Sequence, residues 1–129
     1  MTKRKKLLKD IDNTRREYIR KRDSQGEMTP CISCGAWCET SSLQVGHYYT
    51  RGNDYTTELG NDERNVNLQC VPCNYHRSGY PQGYAYNLTI KYGNNILKEL
   101  EEKKRTKKYW KIKDLENLLT YYKQKLSTT

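Results

Sequence analysis

Two Cys-x-x-Cys pairs, Cys31/Cys34 and Cys70/Cys73, constrain the fold of this chain more than any other feature, because 35 residues lie between them. Each pair offers two thiolates from one tight turn, and tetrahedral Zn²⁺ with four sulfurs at about 2.3 Å needs two such turns to converge. If they converge, the intervening segment is a closed insert longer than the usual ribbon spacing, so it must fold as a feature of its own. A four-thiolate site has no open position for water, which assigns such a zinc to structure. The competing reading is four unrelated buried cysteines. The fifth cysteine, Cys38, reads as a free thiol, and an odd count rules out a fully paired disulfide framework within one chain.

A staple is also what the composition asks for. At 129 residues the chain has room for one core, and with 34% apolar and 30% charged residues that core is lean. The net charge of +9 is unevenly placed: residues 1–24 carry +6, residues 94–129 carry +5, and the middle carries −2. Two basic arms around a slightly acidic centre suit a polyanion held by the arms and a cation bound in the middle. The plain alternative is solvated helix faces. Lys3, Arg4, Lys5 and Lys6 are followed only by Leu7 and Leu8 before charge returns, so no signal-peptide hydrophobic region and no transmembrane run is expected. A cytosolic chain with reduced thiols is expected, without membrane association.

Apolar residues at helical spacing predict an amphipathic helix from Lys3 to about Asp23. Ser24 to Pro30 reads as a loop, and partial alternation over Leu43 to Tyr49 predicts a strand with Val45 and His47 on one face. Residues 50–64 read as an extended loop, of a length that is often functional. A short helix after Cys73 is expected, then helices over about Gln82–Tyr92 (capped by Gly93), Asn94–Lys104 and Ile112–Leu126. The twelve tyrosines, with no phenylalanine, read mainly as helix wedges with wet hydroxyls, and some as stacking partners for unpaired bases.

Around the cysteine pairs lie Val45-Gly46-His47-Tyr48 and Asn65-Val66-Asn67-Leu68-Gln69-Cys70-Val71-Pro72-Cys73-Asn74. A strand His, a turn Asn and a helix Asn in this order resemble the HNH (ββα-metal) nuclease signature over about residues 31–80. A closer likeness is to the lambdoid phage NinG family, also called Rap. It is carried by Cys-Ile-Ser-Cys-Gly at 31–35, Gly46-His47-Tyr48, Arg51-Gly52, Asp62 through Val66 and Gln69 through Asn74, with Tyr86, Leu88 and Tyr92-Gly93 beyond. Where that family commonly has Gly-Asn, this chain has Gly79-Tyr80. The resemblance implies an α+β fold: a ββα-metal core with a four-cysteine zinc site, flanked by a basic helix (1–24) and a helical part (81–129). It further implies a structure-selective DNA endonuclease of the bacterial host's cytoplasm, acting on branched or Holliday-junction recombination intermediates, with Zn²⁺ as structural ion and Mg²⁺ or Mn²⁺ in catalysis.

The residues take roles that fit this. An imidazole can accept a proton from water near neutral pH, so His47 is the candidate general base. Asn65 is the candidate anchor of the loop against the His47 strand and of the ring's orientation. Asn74 offers a carbonyl oxygen to a hard cation that would bind phosphate and leaving oxygens. Many HNH enzymes place Asp before the catalytic His where this chain has Gly46, so the second ligand is open, with His76 the first candidate and Asp54 and Asp62 the next. Arg51 is the candidate phosphate clamp, and Lys3, Arg4, Lys5 and Lys6 the DNA-binding arm. Each has a plainer counterpart: a packed His, a turn-forming Asn65, a helix-capping Asn74, a His76 bonded to the zinc knuckle, a solvated Arg51. The rival functions are a non-catalytic zinc-ribbon DNA-binding module and an interaction module. A two-fold junction substrate would favour a homodimer.

Overall fold

The computed structural model describes residues 1–129 and places a short antiparallel hairpin at its centre. Strand β3 (Gln44–His47) pairs with β4 (Val66–Gln69) in the register Gln44↔Gln69, Val45↔Leu68, Gly46↔Asn67 and His47↔Val66. A smaller hairpin precedes it, β1 (Met28–Pro30) with β2 (Trp37–Glu39). Four helices surround them: α1 (Lys3–Asp23), α2 (Pro81–Tyr92), α3 (Ile96–Arg105) and α4 (Ile112–Thr128). The fold is mixed α+β with two small antiparallel sheets.

Strand alternation sends successive side chains of β3 and β4 to opposite faces. On one face, Val45, Val66 and Leu68 join Ile11 and Ile19 of α1 and Leu115, Leu118 and Tyr122 of α4 in the main core. On the other face lie Gln44, Gly46, Asn67 and Gln69, covered by α2, whose Tyr84 hydroxyl donates to the Gly46 carbonyl at 2.7 Å. A second core of Leu59, Tyr84, Leu88, Ile96 and Leu100 builds up around α2 and α3. All four residues of β4 are buried, so its Val-Asn-Leu-Gln pattern reports two kinds of interior: aliphatic toward α1, amide toward α2.

Several elements differ from the sequence reading. The strand ends at His47 rather than Tyr49, because Tyr48 and Tyr49 already bond to Asn65. Residues 51–65 are not extended but wound into three 3₁₀ turns, Arg51–Asn53, Glu58–Asn61 and Glu63–Asn65. Trp110 pins that segment from the α3–α4 connection: it is 1% exposed, and its indole donates to the Thr57 carbonyl at 3.0 Å. A Cβ on Gly60 would overlap the Asp54 carbonyl and crowd the Trp110 ring, so only glycine permits this packing. The helix expected after Cys73 is a π-helical turn that already begins at Pro72 and runs to His76.

Candidate functional site: a four-cysteine centre and a histidine–arginine cleft

The four-cysteine centre is built by the two hairpins together. The turn between β1 and β2 carries Cys31 and Cys34, closes with Cys31 N–H donating to the Ala36 carbonyl at 2.9 Å, and relies on Gly35 at φ +75°. The Ile32 amide then donates to the Leu68 carbonyl at 3.0 Å, bringing this turn against the end of β4, where Cys70 and Cys73 follow. All four Sγ atoms lie within 4.8 Å of one another, and Cys34 Sγ and Cys70 Sγ are 3.8 Å apart. A tetrahedron with 2.3 Å metal–sulfur legs has edges of about 3.8 Å, so the set suits zinc. Amides of Ser33 and Cys70 donate to Cys31 Sγ at 3.3 Å, and Arg77 Nη1 donates to Cys73 Sγ at 3.3 Å, all favouring thiolate. Burial pushes the Cys70 and Cys73 thiols above their ordinary pKa, which a cation among the sulfurs would reverse. The cluster can therefore hold a metal such as zinc. Cys38 stands outside it as a free, half-buried thiol.

The second feature lies between α1 and β3, a cleft of about 130 Å³ lined by Asp12, Arg15, Arg16, Val45, His47 and Arg51. His47 Nε2 is 2.9 Å from Asp54 Oδ2. Asp54 is 1% exposed, and Arg15, itself 4% exposed, pairs with it at 3.0 Å. Burial alone would raise the Asp54 carboxyl, but the His47 hydrogen bond and the Arg15 charge hold it below the ordinary carboxylate value. A carboxylate only accepts, so a proton on Nε2 faces Asp54, and Arg15 Nη2 stands 3.4 Å from the same nitrogen. No protein group bonds Nδ1. Arg15 also reaches Asp12 at 3.3 Å, and Asp12 in turn pairs with Arg51. Three arginines thus share one part-open cleft with the imidazole, of which Arg15 is in contact with it.

The other sequence candidates are distributed as follows. Asn65 is fully buried, and its carboxamide brackets Tyr49, accepting from the amide at 2.9 Å and donating to the carbonyl at 3.0 Å. It therefore ties the loop to the end of the His47 strand, while the ring itself is oriented by Asp54. Asn74 donates to Gln44 Oε1 at 2.9 Å, on the opposite face of β3 from His47. His76 is exposed on the π-helical turn. Asp62 is engaged by Arg64 at 2.7 Å and Lys103 at 2.8 Å, which bring it down to about 2 against the effect of burial. In the basic arm, Arg4 donates to the Trp110 carbonyl at 2.7 Å, Lys3 faces Glu116 at 3.5 Å and Lys6 faces Asp10 at 3.3 Å, leaving Lys5 exposed without an ion pair.

The four cysteines are the one set of three or more His, Cys, Asp or Glu side chains that converge. Position 46, where an Asp would stand in the resembled nucleases, is filled from across the hairpin: a Cβ there would overlap Gln69 Oε1, whose Nε2 donates to Ser33 Oγ at 2.8 Å and the Gly79 carbonyl at 2.7 Å.

Sequence reasoning missed Asp12 and Arg15 and placed Asp54 only among weaker metal ligands. The one local signal was the Asp12–Arg15 spacing, which puts opposite charges on the same helical face.

Fold and centres define a small α+β domain with a four-thiol centre and an arginine-rich histidine cleft. The family profile described as Bacteriophage Lambda NinG protein matches residues 1–129. "Protein ninG" of Escherichia phage 933W is 32% identical over 119 residues, covering 92% of this chain and 56% of the relative. "Protein ninG" of Escherichia phage lambda is likewise 32% identical over 119 residues, covering 92% of this chain and 55% of the relative. The chain belongs to the NinG family of phage proteins. It spans about half the length of these curated relatives. No solved structure matches it. No helix is long and apolar enough to cross a membrane.

Proposed function

We propose that this chain is a DNA endonuclease in which His47 is the general base, acting on branched or Holliday-junction DNA as the HNH and NinG resemblance implies. The observation that carries the reading is the buried Asp54 against His47 inside a cleft of arginines. In the neutral ring that donates from Nε2 to Asp54, Nδ1 is the nitrogen open to take a proton from water. Arg15, Arg16 and Arg51 supply charge-assisted donors to a phosphodiester, of which Arg51 is the most exposed. The basic helix α1 lines this cleft through Arg15 and Arg16, while most of the C-terminal arm's charge lies on α3 and the α3–α4 connection. The zinc among Cys31, Cys34, Cys70 and Cys73 serves structure.

A catalytic Mg²⁺ or Mn²⁺ fits the residues less well. Asn74 is bonded to Gln44, His76 is solvent-exposed and the space above Gly46 is occupied. The same observation favours a second reading, a zinc-containing DNA-binding module without turnover. The two separate in one assay: supercoiled and four-way-junction DNA incubated with the chain in each of Mg²⁺, Mn²⁺, Co²⁺ and Ni²⁺. The nuclease reading expects cleavage that His47→Ala lowers by about 10²-fold or more with DNA binding kept. Cleavage by His47→Ala at the wild-type rate, or binding without turnover in all four ions, would discard it.

A further inference from the structure

From Arg64 to Lys98 the chain contains no Asp or Glu, whereas its average of 15 acids in 129 residues would place about four in a stretch of that length. Arg64, Arg77, Lys91 and Lys98 make the stretch basic. It forms β4, the π-helical turn, α2 and the start of α3, none of which lines the His47 cleft, and Asp23 of α1 meets it at Lys91, 2.7 Å away. Large side chains stand in solvent on it: Tyr75 is 67% exposed, Tyr80 38% and Tyr86 68%, with Ile90 at 66% one turn beyond Tyr86. On the α1–α4 side, by contrast, the hydroxyls of Tyr18 and Tyr121 are tied to Glu63 at 2.7 and 2.6 Å. Those of Tyr75, Tyr80 and Tyr86 bond to nothing in the protein.

The surface is built rather than loose. Tyr80 sits at φ +44°, in the left-handed region that a bulky residue rarely adopts, and Ser78 two residues before it is at φ +51°. The Tyr80 ring lies over Gly83, where a Cβ would come within 2.8 Å of Cε2 and would also overlap the Ser33 carbonyl of the zinc turn. Glycine at 83 thus lets α2 press onto the four-cysteine centre with the aromatic ring laid alongside. His76 and Arg77 are exposed beside these rings.

We infer that this aromatic face binds unpaired nucleotides of a DNA strand, with Tyr75, Tyr80 and Tyr86 as stacking platforms and Arg77 as a phosphate contact. Aromatic rings stack on any base but need its face uncovered, which a duplex does not offer. Arg77 makes no ion pair with a carboxylate and keeps donors beyond the one given to Cys73 Sγ, so charge-assisted hydrogen bonds to a phosphate are open to it. The inference rests on the DNA reading above and extends it, since a flap, a gap or an opened junction offers paired arms to the cleft and unpaired nucleotides to this face.

The test uses the full chain carrying His47→Ala, so that no cleavage intervenes, and measures binding to an oligo(dT) of about 20 nucleotides and to a duplex of similar length. Adding Tyr75→Ala and Tyr86→Ala is expected to weaken oligo(dT) binding by about tenfold for each ring, with duplex binding changed by less than about threefold. Tyr75→Phe with Tyr86→Phe should keep the oligo(dT) affinity, because the ring and not the hydroxyl does the stacking. Equal losses on both DNAs, no loss on oligo(dT), or tighter binding of oligo(rU) than of oligo(dT) would overturn the inference. Failure of the nuclease reading would look different: no turnover by the unsubstituted chain, with the ring-dependent preference for single strands intact.

Discussion

The two faces of the β3–β4 hairpin solve burial in opposite ways. Toward α1, Val45 and His47 stand beside Asp54, Arg15 and Asp12, so charge is held inside and every charge is matched. Toward α2 the hairpin presents Gln44, Gly46, Asn67 and Gln69, whose amides bond Asn74, Tyr84, Ser33 and Gly79, with Arg22 and Lys91 donating to Asn67 Oδ1 and Gln69 Oε1 left without a partner. Buried charges cost several kcal/mol unless paired, whereas buried amides need only hydrogen-bond partners. The ionic face is therefore the one that opens to a cleft, where a phosphate can replace a protein partner, and the amide face is the one that fixes geometry around the cysteines. Residue 46 belongs to the second face, which is why a carboxylate has no place there.

Four experiments would break or sharpen this contrast. Metal removal is expected to have the largest effect, since structural zinc contributes about 10 kcal/mol or more in zinc-finger peptides. Chelation should strip hydrogen-exchange protection first from the amide face, at Ile32 and Gly79, and later from Ile19 and Leu118 in the α1–α4 core; simultaneous loss would show one cooperative unit. Next, Asp54→Ala leaves Arg15 with Asp12 as its remaining partner and should cost about 3 kcal/mol in denaturant unfolding. Acid probes the same group: its pKa is lowered in the folded state, so its contribution is present above about pH 4 and is lost as pH falls through the folded value. Asp62, at about 2 when folded, adds a loss in the same direction between about pH 4 and pH 2, read as a falling melting temperature. Third, Gly46→Asp should destabilise by about 2 kcal/mol, because it displaces Gln69 and buries a carboxylate beside an amide oxygen. A stable variant with new divalent-ion affinity would instead show that the face tolerates charge. Smallest is Asn74→Ala, which removes one half-buried hydrogen bond and should cost less than about 1 kcal/mol. Loss of DNA cleavage by more than about 100-fold in that variant would bring Asn74 back into the chemistry, while an unchanged rate would leave it a structural residue.

Much of the fold was legible from local pattern. Helical spacing marked α1 and α4, and Gly93 marked the end of α2 at φ +99°. Two Cys-x-x-Cys pairs announced the centre that the structure brings within 4.8 Å. Asn65 was legible as a tie for the loop after His47, because a short amide in a turn has few other partners to reach. The partners of the imidazole were not. Asp54 sits in a polar run that reads as loop, and it becomes a buried acceptor only because Trp110 packs on Gly60 and presses that run against α1.

Residue types and their spacing determined a thiol-stapled, basic α+β chain with one histidine flanked by cysteine pairs, since ligand chemistry and helical periodicity are properties of near neighbours in the chain. Only the tertiary structure decided what that histidine faces and which amide side excludes a carboxylate at position 46. Those outcomes depend on contacts between segments tens of residues apart, where packing volume and the pairing of buried charge choose the partner, and no local pattern records that choice.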